Sequence, residues 1–103
     1  MRVEDAPAGR ALNALIAEKI MHLHSEVWPA HYSDDLTVAW AVWEHVLAPN
    51  DYFLATLGEA GDEDYYAIWR GDWHAVAFAP TAPLAICRAA LLLAGVKELP
   101  VER

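Results

Sequence analysis

Apolar residues recur at helical spacing early in the chain, at Leu12, Leu15, Ile16, Ile20 and Leu23, while Asn13, Glu18 and His22 fall mainly off that stripe. The pattern predicts an amphipathic helix that starts at Asp5-Ala6-Pro7. From Ser25 to Tyr32 the periodicity breaks around Trp28-Pro29, because proline disfavours helical geometry in the residue before it, and a packed loop is expected. Ser33 or Asp34 then caps a second helix. Leu36, Ala39, Trp40, Trp43 and Leu47 make its apolar face, Thr37, Glu44 and His45 its polar one, and Ala48-Pro49-Asn50-Asp51 ends it. On this reading Trp40 and Trp43 are mostly buried.

Beyond Asp51 the period changes from helical to two. Tyr52–Leu57, Tyr65–Trp69 and Trp73–Ala79 read as strands, with an exposed acidic loop over Glu59–Asp64 and a hairpin turn at Arg70-Gly71-Asp72. In the last strand Trp73, Ala75 and Ala77 alternate with His74, Val76 and Phe78, so neither face looks solvated and both are expected to be covered. Thr81 can cap a third helix that carries Pro83 in its first turn and ends at Gly95. Between Leu84 and Ala94 its only charge is Arg88. A helix apolar all round needs cover on more than one side, which a short chain has little material to supply, and self-association as a twofold dimer through this helix and nearby strand surface is expected. The tail from Lys97 to Arg103 should trail over the surface. The sum is one α+β domain over residues 1–103: a three-stranded antiparallel meander packed with three helices in the order α-α-β-β-β-α, like an alpha-beta-alpha sandwich.

Two segments carry a family resemblance. Leu12-Asn13-Ala14-Leu15-Ile16-Ala17-Glu18-Lys19-Ile20-Met21 and, more specifically, Ala79-Pro80-Thr81-Ala82-Pro83-Leu84-Ala85-Ile86-Cys87-Arg88-Ala89-Ala90-Leu91-Leu92 resemble the phage proteins grouped as the phage ABA sandwich domain family. Tyr32-Ser33-Asp34-Asp35 followed by Ala39-Trp40 is similar to the family's central segment. The resemblance implies a sheet between helical layers and a phage or prophage accessory protein; it supplies no reaction and no catalytic residues. Where members often continue the first motif with glycine and tryptophan, this chain has His22-Leu23-His24.

Composition narrows the function classes. A hydrophobic content of 56%, with five tryptophans and four tyrosines, excludes a disordered chain. Fifteen acidic against seven basic side chains leave a net charge of −8 with the cations scattered, which repels duplex nucleic acid. The run from Ala89 to Val96 is too short to cross a bilayer, and Met1-Arg2-Val3-Glu4-Asp5 is no secretory signal, so the cytoplasm of the host cell is expected. Cys87, the single cysteine, has no activating partner in its own segment.

Candidate chemistry is sparse. His22, His24 and His31 suggest zinc, but residues two apart on a helix do not share a face and no cysteine pair completes a set, so no metal and no cofactor is expected. Asp34-Asp35 sits where a helix start favours negative charge, and Asp62-Glu63-Asp64 in an exposed loop. The reading is therefore not an enzyme but a protein-binding module, whose partner is a second copy or a host or phage protein. The alternative is a small-ligand binder that sequesters an anionic nucleotide signal. Trp28, Tyr32, Arg70 and Arg88 are the candidate ligand- or partner-binding residues: the aromatics either complete the core or form a platform, and the arginines and the amides opening the third helix are the anion donors. An uncharacterised enzyme is the third reading.

Overall fold

The computed structural model describes residues 1–23, 30–57, 65–70 and 75–99, the side chains of 55–57, 65, 69, 70 and 75 excepted. Its helices are α1 (Arg10–Lys19), α2 (Leu36–Val42) and α3 (Ala82–Leu93), and its strands β1 (Tyr52–Leu57), β2 (Tyr65–Arg70) and β3 (Ala75–Ala79). The strands form an antiparallel sheet in the order β1-β2-β3, so the fold is α+β, sandwich-like, with the expected element order. Trp73 and His74, read as part of the third strand, lie outside the described residues, as do the two loops.

The first helix starts later than its stripe suggests. Val3–Asp5 is a separate 3-10 turn with Val3 buried, and Pro7-Ala8-Gly9 separates it from α1. Gly9, the residue before the helix, has φ +152°, which a side chain rarely adopts. At the other end Met21 N–H donates to Ile16 O and Leu23 N–H to Ala17 O, closing a wide turn that puts His22 at φ +56° and leaves Leu23 exposed, outside the helix.

Asn13, expected on the polar side, is buried. Its Oδ1 accepts from the backbone N–H of Ser33 at 2.8 Å and from the Ser33 hydroxyl at 2.6 Å, while Ser33 Oγ accepts from Gly9 N–H at 2.9 Å. This buried pair ties the start of α1 to the turn before α2, so Ser33 serves α1 and does not cap α2. The cap is Asp35, whose Oδ1 accepts from Thr37 N–H at 2.9 Å and Val38 N–H at 3.4 Å.

From Trp43 to Leu47 the second helix widens into a π turn, followed by a 3-10 turn over Ala48–Asn50 and a left-handed Asp51 at φ +62°. The wider turn changes which residues share a face. Ala39, Val42 and Leu47 are buried, Trp43 is half-buried, and Trp40 is 43% exposed, against the expectation that both indoles would be covered. Leu36 is exposed as well. The two indoles stack at the surface, ring centroids 5.6 Å apart and planes 9° from parallel.

The third helix is the centre of the molecule, and the expectation of an exposed outer side is corrected. It packs on β2 and β3, and α1, α2 and the π turn pack on it rather than on the sheet. Nine of its residues are buried, with Ala85, Ala89 and Ala90 leaving room for close neighbours. It ends in a Schellman turn: Val96 N–H donates to Leu91 O, Gly95 N–H to Leu92 O, and Gly95 takes φ +85°. Lys97–Leu99 does not trail. Val3 N–H donates to Lys97 O and Leu99 N–H to Met1 O, joining this segment to the first residues.

The sheet alternates as its period requires. Tyr52, Ile68, Ala77 and Ala79 are buried on the side of α3. The register places Phe53 opposite Trp69 and Phe78 opposite Ala67, so Phe53 and Phe78 share the other face, where they are 45% and 48% exposed. No described helix packs there, but Ala67, between the two rings on the same face, is fully buried, so among the described residues the exposure on this face is that of Phe53 and Phe78.

Candidate functional site

Of the candidate binding residues singled out from the sequence, the structure describes Tyr32 and Arg88 with their side chains. Tyr32 is buried in the core beside Ser33. Trp28 lies outside the described residues; Arg70 ends β2 opposite Tyr52, its side chain outside the description. Arg88 is occupied: Nε and Nη2 donate to Ala6 O at 3.0 and 2.6 Å, and Nη1 donates to Phe78 O at 2.7 Å. One guanidinium thereby joins α3 to the segment before α1 and to the end of β3. Burial lowers its pKa and nearby Asp5 opposes that shift. Arg88, read from the sequence as an anion donor, thus donates to main-chain carbonyls.

The groups that could do chemistry are similarly engaged. Cys87 is fully buried, and burial first, then the charge of Asp34, raises its pKa far above 9.0, so the thiol stays protonated. Asp35 is committed to its cap and Asp34 lies 3.0 Å from His31 Nδ1. Among the described residues no group of three or more His, Cys, Asp or Glu could hold a metal ion.

Two surface features remain. One is the open sheet face with Phe53 and Phe78, beside β1 and β3 as edge strands. Sequence reasoning missed its exposure by assuming cover on both sides; the alternation itself was visible. The other is a cleft of about 580 Å³ between the ends of α1 and α3, the π turn and the start of β1, with Lys19, His22 and His45 among its lining residues. Its residues are far apart in sequence, so no local motif could reveal it.

Fold and surface together define a small α+β domain with Phe53 and Phe78 exposed on one face of its sheet. No described helix is long and apolar enough to cross a membrane. Over residues 14–91 the sequence matches the phage ABA sandwich domain, and the chain belongs to that family. No curated protein and no solved structure matches it.

Proposed function

We propose that this phage-family protein is a non-catalytic binding module that docks a protein partner through the open face of its sheet, the first such partner being a second copy of the chain. The observation that carries this reading is the pair Phe53 and Phe78, each close to half exposed on the face that α3 does not cover. Apolar patches on protein surfaces mark interaction sites, and a twofold contact buries the same patch on both copies. Phe53 and Phe78 carry no charge, so covering them strips no ion of water. The engagement of Arg88 and Asp35 with backbone groups and the burial of Cys87 support a role without catalysis.

Each copy carries −8, so association works against long-range repulsion that salt screens. Light scattering after size exclusion tests the reading. The expected result is a mass near twice 11.4 kDa that falls on dilution, tightens with added salt, and collapses to one chain in F53S/F78S with the fold intact by circular dichroism. A mass of one chain throughout the dilution series, or a dimer unaffected by F53S/F78S, contradicts it.

A further inference from the structure

We infer that the cleft at the ends of α1 and α3 is a binding site for a small organic anion with an apolar body, separate from the sheet face and independent of the docking reading. Its volume, about 580 Å³, falls among those of small-ligand sites, roughly 300–1,000 Å³. Its lining is chemically unlike the rest of the chain. In a protein with fifteen acidic side chains against seven basic, this cleft presents Lys19, His22 and His45 and, among the described residues that line it, no carboxylate. Ile20, Val46 and Leu93 supply apolar wall beside those donors. The lining surface is more polar than apolar, and an ammonium with two imidazoles suits a carboxylate or phosphate.

Backbone geometry points to the same place. The two non-glycine residues with left-handed backbone among those described are His22, which lines the cleft, and Asp51, which stands between lining residues Asn50 and Tyr52. Such conformations cost about 1–3 kcal/mol each and cluster where function holds them. Helix-end electrostatics explains part of the set and not the whole. Lys19 is in the last turn of α1, where a cation offsets the helix dipole, and it lies 3.6 Å from Glu18. That role gives no reason for His22 and His45 to meet it at one recess.

The test is an amide-resonance titration with phenyl phosphate, with benzylamine as a cation of similar body, on the full chain. Saturable shifts are expected at Lys19, His22, Val46 and Leu93, with little response to benzylamine. K19Q and H45Q, both at exposed positions outside the core, should each weaken phenyl phosphate binding about tenfold, a loss of about 1.4 kcal/mol, without changing the melting temperature. Benzylamine binding as tightly, shifts that do not saturate at millimolar probe, or unchanged affinity in both variants would overturn the assignment.

Discussion

At the scale of the residue, polar side chains in this protein act mainly on backbone groups. Asn13 and Ser33 satisfy each other and the main chain inside the core, and Arg88 spans two carbonyls from distant segments. Buried polar groups are tolerated only when bonded, and among the described residues no buried side-chain polar atom lacks a partner. Asn13 was misread from sequence because residue type, rather than partner, decided its side of the helix. Cys87 yields a prediction with a definite sign. Its folded pKa lies above the ordinary 9.0, so above pH 9 the unfolded chain releases a proton that the folded chain keeps. Its contribution to stability is complete below pH 9 and is lost as pH rises, with a slope of about 1.4 kcal/mol per pH unit. Urea midpoints should therefore drop more steeply between pH 9 and 10 in the wild type than in C87A, whatever the cost of the substitution itself. Parallel curves for the two proteins would contradict this.

At the scale of the element, period and punctuation were legible and local irregularity was not. The shift from helical to alternating spacing at Asp51 located β1 correctly, and Gly95 marked the end of α3, because a Schellman turn needs a left-handed residue there. Trp40 was placed inside because an unbroken α-helix was assumed from Leu36 to Leu47. The π turn breaks that regularity, and the buried line runs Ala39, Val42, Leu47 instead. The helix start was read one or two residues early, since Ser33, Asp34 and Asp35 are all good caps by type and only the tertiary pull of Asn13 on Ser33 separates them. Asp35→Ala should destabilise the protein by about 1 kcal/mol, seen as a lower urea midpoint at unchanged m-value, and Asp35→Asn, whose amide oxygen can accept the same bonds, should keep most of the wild-type stability. An unchanged midpoint in Asp35→Ala would remove Asp35 from that role.

At the scale of the whole molecule, the family and the α+β order were readable from the chain, whereas the layering was not. An all-apolar helix can be covered by a partner or by the chain's own elements, and periodicity does not distinguish the two. Here α1, α2 and the sheet enclose α3, and the exposed large apolar side chains include Phe53 and Phe78 on the sheet and Leu36 and Trp40 on α2. The cleft was equally invisible, because Lys19, His45 and Leu93 meet only after the ends of three elements converge. The central claim is that Phe53 and Phe78 lie on an open face that a partner covers. The most direct measurement is relaxation of ring proton resonances by a soluble paramagnetic agent, taken across a protein dilution series. At the lowest concentration Phe53 and Phe78 should relax strongly while the methyl groups of Ile68 and Ile86 stay protected, and the two rings should become protected as concentration rises. Rings shielded at every concentration would mean that the chain covers this face itself, and rings equally accessible at every concentration would mean that no second copy docks there; either result contradicts the account.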